Sequence, residues 1–178
     1  MPRMNFPSVF WTMAFVLMII TYIISGCEKT SIQNNGKPTG NLIKYSDCKN
    51  TVTGILSDTT PNNLDCIEYS YNNLNGILKL NHINAGFNCC PGKITADISI
   101  NNDAIIINEK EQEAGCHCDC LFDIEYQFNN LQSLTFKLIV VEPYRPVDED
   151  VLEFVLDLNI QPSGKFCVER KNYPWNIN

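Results

Sequence analysis

The chain has 178 residues, 44% of them hydrophobic, with nine cysteines and a formal net charge of −7. That length suits a single domain, and the hydrophobic fraction excludes wholesale disorder. The acidic balance excludes a nucleic-acid binder, because nothing would neutralise a run of phosphates, and there is no basic patch for an anionic membrane.

The amino-terminal segment reads as an export signal. Arg3 supplies a positive start, Val9 to Ile24 is apolar except for Thr12, Thr21 and the Tyr22 hydroxyl, and the small residues Ser25 and Gly26 precede Cys27. The run is shorter than the roughly 20 residues of a comfortable bilayer span and ends at small residues, as a secretory signal does. Ile24-Ser25-Gly26-Cys27 resembles the bacterial lipobox, which implies a signal peptide over residues 1–26 and lipidation of Cys27. An uncleaved signal anchor is the alternative. Several acyl chains, at roughly 0.8 kcal/mol per buried methylene, would make such an anchor stable.

Residues 27–41 are polar, rich in glycine, proline and asparagine, and read as a tether reaching on the order of 20 Å. A single folded domain is expected over residues 42–178. Its eight cysteines are Cys48, Cys66, Cys89, Cys90, Cys116, Cys118, Cys120 and Cys167. An even number in an exported chain points to disulfides. Adjacent Cys89 and Cys90 are too constrained to bond each other easily. Cys116, Cys118 and Cys120 at period two would lie on one strand face about 6.7 Å apart, so they too should pair outward. A hairpin from Ile94 to Asn108 would return Cys89 and Cys90 beside Cys116 and Cys118, favouring two bridges between those groups.

Two other readings use the same cysteines. The five-residue run Cys116-His117-Cys118-Asp119-Cys120 offers metal ligands, yet on a strand His117 and Asp119 face away from the thiols. Thiol exchange by Cys89, Cys90, Cys116, Cys118 and Cys120 wants cationic neighbours, and Asp119, Asp123 and Glu125 are acidic. No metal site and no cofactor is expected.

Alternation then lays out strands. The first is Cys66 to Tyr71, joined through Asn72 to Asn75 to a strand over Gly76 to Ile83. Ile94, Ala96, Ile98 and Ile100 form an inward row, and a turn at Asn101-Asn102-Asp103 leads into Ala104 to Asn108. Residues 109–115 read as a charged loop. A long strand follows, with Cys116, Cys118, Cys120, Phe122, Ile124, Tyr126 and Phe128 on one face. Leu134, Phe136, Leu138 and Val140 face inward in the next strand; Leu152, Phe154, Leu156, Leu158 and Ile160 do so in the one after. A turn at Pro162-Ser163-Gly164 precedes a last strand, Phe166 to Glu169. Leu138 to Val141 and Val151 to Val155 are apolar on both faces, which reads as central strand covered outside by loops, the alternative being an exposed apolar patch that serves as a partner surface.

Seven or eight such strands predict an all-β fold: a disulfide-stapled antiparallel β-sandwich of immunoglobulin-like Greek-key order, preceded by the signal helix. A helix within residues 42–65 is the alternative to the pure sandwich. His82, late in a strand, and His117 read as surface or edge residues. Asp148-Glu149-Asp150 reads as a solvated turn. No phosphate loop, zinc-protease helix, nucleophile elbow or calcium loop is present, and no enzyme activity is expected.

Cys89-Cys90-Pro91, the row Cys116-x-Cys118-x-Cys120-Leu121-Phe122-Asp123 and the strand after it resemble uncharacterised exported lipoproteins of Bacteroidota. The resemblance covers about residues 89–128 plus the signal, and implies a lipid-anchored cell-envelope domain without assigning an activity. In that setting Asp58-Thr59-Thr60 resembles a short O-glycosylation site, with Thr59 the acceptor. The expectation is therefore a non-enzymatic binding module at the envelope, membrane-attached through its lipid, with a protein or glycan partner. A thiol-redox or metal-handling protein is the alternative.

Overall fold

A computed structural model describes residues 36–49, 60–112 and 115–171. Cys27, the signal, most of the tether and Thr59 lie outside these residues. Nine strands and no helix are found among the described residues, which leaves the all-β expectation standing. No helix there is long and apolar enough to cross a membrane.

The strands are β1 (Thr39–Tyr45), β2 (Leu64–Asn72), β3 (Ile77–Asn88), β4 (Ile94–Ile100), β5 (Ala104–Glu111), β6 (Asp119–Asn129), β7 (Thr135–Val141), β8 (Leu152–Asp157) and β9 (Ser163–Glu169). They form a five-stranded sheet in the order β1-β6-β3-β2-β9 and a four-stranded sheet in the order β4-β5-β7-β8. All neighbours are antiparallel except β5 and β7, which run parallel. The sandwich is therefore mixed where a purely antiparallel one was expected. β6 crosses to the other sheet between β5 and β7, so no hairpin dictates their pairing.

Period-two burial explains the layers. Cys120, Phe122, Ile124, Tyr126 and Phe128 of β6 are all buried and meet Ile105 and Ile107 of β5 and Phe136, Leu138 and Val140 of β7 in one core. Alternation of apolar side chains at two-residue spacing gives each sheet one such face. Phe154 of β8 lies inside, 4.5 Å from Phe166 of β9 and stacked on it.

Several sequence boundaries move. β1 starts at Thr39, so residues assigned to the tether already pair with β6; Gly40 permits this by lying against the Phe128 ring, where a side chain would collide. Cys116 and Cys118 precede β6 in a bend, because their bridges pull the chain aside, and the strand starts at Asp119. β5 runs through Glu109 to Glu111, where a loop was expected, since a buried partner awaits the Glu109 carboxyl. Ile160 falls in the turn after β8 and is 83% exposed, not inward. The outer face of β7 and β8 is open, with Val141 43% and Val155 70% exposed, so no loop covers it as expected.

A register shift in β3 between His82 and Ala85 places two residues, Ile83 and Asn84, opposite Asp123 of β6. Asn84 adopts a φ of 66° there, a left-handed conformation that asparagine tolerates better than most residues. Its amide donates to the Pro61 and Leu64 carbonyls and its oxygen accepts from Lys49. The bulge keeps His82 inward and returns Ala85 and Phe87 to the core as well.

Candidate functional site

All eight domain cysteines pair: Cys48–Cys120, Cys66–Cys167, Cys89–Cys118 and Cys90–Cys116. The last two are the bridges expected between those groups. Cys66 and Cys167 face each other directly across β2 and β9. Cys48–Cys120 ties the stretch after β1 to the start of β6. His117 is exposed, outside any strand. Sulfur atoms of Cys89, Cys116 and Cys118 lie within 4.8 Å of one another, but every one is committed to a bridge.

A polar row crosses the outer face of the five-stranded sheet. Ladder partners run Lys165–Glu68, Glu68–Asn81, Asn81–Glu125 and Glu125–Lys44, one residue from each of β9, β2, β3, β6 and β1. Lys44 bonds Glu125 at 2.9 Å, and Lys165 donates to Thr60 at 2.6 Å. Four of the row, Glu125, Asn81, Glu68 and Lys165, floor a trough of about 610 Å³ lined also by Ser70, Lys79 and Ser163. A second hollow of about 220 Å³ shares Asn81 and Glu125 and reaches Tyr45. Asn81 stands at the centre, and its Oδ1 has no hydrogen-bond donor among the described residues. The lining balances two lysines against two glutamates, so it favours hydrogen bonding over net charge.

The third arrangement lies inside the sandwich. Asp65, His82, Glu109, Tyr126, Glu142 and Arg170 are all buried. His82 Nε2 lies 2.6 Å from Asp65 Oδ1 and Nδ1 lies 2.7 Å from Glu109 Oε1. The Tyr126 hydroxyl donates to the same Glu109 oxygen at 2.7 Å. Arg170 donates through Nε at 3.0 Å and Nη2 at 2.6 Å to Asp65 Oδ2. Its Nη2 also bonds Glu142 Oε2, and its Nη1 bonds the Asp150 carbonyl.

His82 is thus wholly enclosed in a central strand, contrary to the surface or edge position expected. The reason is that carboxylates meet both ring nitrogens, which removes the penalty of burying an unpaired polar group. Glu142, just past the end of β7, is likewise turned inward. Burial opposes the imidazolium, but the Glu109 and Asp65 charges outweigh it and raise His82 well above its ordinary 6.5. Burial would raise Asp65 too, yet His82 and Arg170 hold it below its usual 3.8. Burial and then the Asp65 charge push Glu142 well above 4.5, against the pull of His82 and Arg170. Burial, with Glu109 beside it, also raises the Tyr126 phenol. The same surroundings therefore push one carboxyl toward its charged form and its neighbour toward its protonated form.

The sequence carried a signal for this cluster. Every member but Tyr126, which sits within the inward row of β6, occupies the next inward position of an apolar row: Leu78-Leu80-His82, Ile105-Ile107-Glu109, Leu138-Val140-Glu142, Phe166-Val168-Arg170 and, read backwards, Tyr69-Ile67-Asp65. Five rows end in an ionisable group, and the topology brings those ends together. No family model, curated protein or solved structure matches the chain.

Proposed function

We propose that this chain is an exported, lipid-anchored cell-envelope protein whose β-sandwich is a non-enzymatic binding module for a carbohydrate chain. Export and anchoring rest on the signal-like segment before Cys27, and four bridges among the described residues fit an oxidising compartment. The observation that carries the ligand class is the trough across that row, where Glu125, Asn81, Glu68 and Lys165 meet Lys79 in a charge-balanced lining. Such a floor offers donors and acceptors at strand spacing without selecting an ion, which suits neutral hydroxyl-rich ligands. An immunoglobulin-like Greek-key path belongs to the same reading. Its support is the passage of the chain between sheets after β3, β5, β6 and β8, and an experimental structure with another strand order would overturn it.

The test has two parts. Cys27→Ala should release the full chain from the membrane fraction; retention would refute the anchor. The purified chain should bind envelope polysaccharide on an array, with binding lost in Asn81→Ala/Glu68→Ala. Saturable binding that ignores those changes would move the site elsewhere, and none at all would refute the ligand class.

Thiol exchange is the second reading, favoured by the exposed Cys118 beside the Cys90–Cys116 bridge. It predicts titratable thiols in freshly purified protein under denaturing conditions. Zero free thiols would dispose of it.

A further inference from the structure

The buried cluster holds three carboxyl groups, Asp65, Glu109 and Glu142, against one guanidinium, Arg170. With a neutral imidazole, that composition lacks two positive charges. An uncompensated excess of that size is not buried in a protein interior. Two protons or one divalent cation would balance it, and three geometric features prepare for the cation.

First, a ring nitrogen of His82 and one oxygen each from Asp65 and Glu142 lie within 4.8 Å of one another. Second, Glu142 Oε1 is buried without a hydrogen-bond donor. Third, the surrounding groups orient these atoms. Glu109, itself held by Tyr126, faces His82 Nδ1 and leaves Nε2 toward Asp65. Arg170 takes Oδ2 of Asp65 and Oε2 of Glu142, leaving Asp65 Oδ1 to the imidazole and Glu142 Oε1 without a donor. A carboxylate behind a ligating histidine and donors behind ligating carboxylates are what metal centres use to fix their ligands.

We propose that His82 Nε2, Asp65 and Glu142 bind one divalent transition-metal cation, with Glu109, Tyr126 and Arg170 as positioning residues. One imidazole and two carboxylates suit Zn²⁺, and three protein ligands leave it an open coordination position. The ion replaces the protons that otherwise complete the charge balance.

The experiment uses the full chain in detergent, stripped with chelator and titrated with Zn²⁺ alone. Expected are one ion per chain, a rise of several degrees in the thermal midpoint and release of about two protons measured by buffer-dependent calorimetry. Glu142→Gln should weaken binding at least tenfold, whereas His117→Ala should leave it unchanged. Should Glu142→Gln not fold, Co²⁺ in the unaltered chain decides. Visible bands of nitrogen and oxygen ligation, without a thiolate charge-transfer band, support the site. Absence of one-to-one binding, loss of binding in His117→Ala or a sulfur band overturns it.

Discussion

Replacing Arg170 by methionine tests whether the buried cluster behaves as one electrostatic unit. The guanidinium makes two contacts to Asp65 Oδ2, one to Glu142 and one to the Asp150 carbonyl, with no exposed charge on either ion pair. Methionine fills similar space but leaves His82 alone against the Asp65 and Glu109 charges, so one buried charge loses its counterpart. Removing one partner of a buried pair costs about 3–5 kcal/mol. That is a large share of the roughly 5–15 kcal/mol available to a domain. At a urea slope of about 2 kcal/mol per molar, the midpoint should fall by roughly 2 M. Chelator-treated protein unfolded in urea and followed by the far-ultraviolet circular dichroism of its strands provides the reading. Asp65→Asn in the Arg170→Met background should cost less than the two single changes added, by at least about 1 kcal/mol. A loss under about 1 kcal/mol, the range of an exposed pair, or strict additivity would refute the argument.

Three further outcomes are expected. His82 and Glu142 both hold protons more tightly when folded, so the metal-free protein loses stability with rising pH, from about 4.5 for Glu142 and 6.5 for His82 up to their raised values. The slope is about 1.4 kcal/mol per pH unit for each retained proton; Asp65, shifted down, acts oppositely and only in acid below 3.8. Urea midpoints that are flat or rising between pH 5 and 8 would contradict this. In β1, a side chain on Gly40 would sit 2.5 Å from a Phe128 ring carbon and 2.9 Å from an Ile98 methyl. Gly40→Ala should therefore cost about 1–3 kcal/mol through overpacking, and an unchanged melting temperature would show that the strand gives way freely. Removing Cys66–Cys167, which spans 101 residues, should cost about 1 kcal/mol more than removing Cys90–Cys116, which spans 26. Calorimetric melts of Cys66→Ala/Cys167→Ala and Cys90→Ala/Cys116→Ala would reveal a reversed order.

The strands were legible wherever one face is apolar and the other wet. Phe122 to Phe128 and Leu134 to Val140 fall where alternation put them, because a half-buried strand writes its burial into every second residue. The ends were not legible. Glu109 and Glu142 look like loop residues until the partner that makes their burial tolerable is known, and Arg170 lies about 60 residues from the first and 28 from the second. His82 was misread for the same reason. Its type suggested the surface, although its position continued the row of Leu78 and Leu80. The parallel pairing of β5 with β7 has no local signature, since it depends on where β6 goes. The polar row across the larger sheet was hidden too, because register between distant strands decides which lysine meets which glutamate.

The four bridges have an order. Cys90–Cys116 lies inside Cys89–Cys118, which lies inside Cys48–Cys120, while Cys66–Cys167 starts within that outermost ring and ends beyond it. A ribosome delivers the amino end first, so the three concentric links can close from the innermost outward as Cys116, Cys118 and Cys120 emerge in turn. Cys66 must stay unpaired throughout, waiting for the carboxy-terminal strand. The nascent chain is thus most exposed to mispairing at a single thiol, and a disulfide isomerase would earn its place by guarding that one.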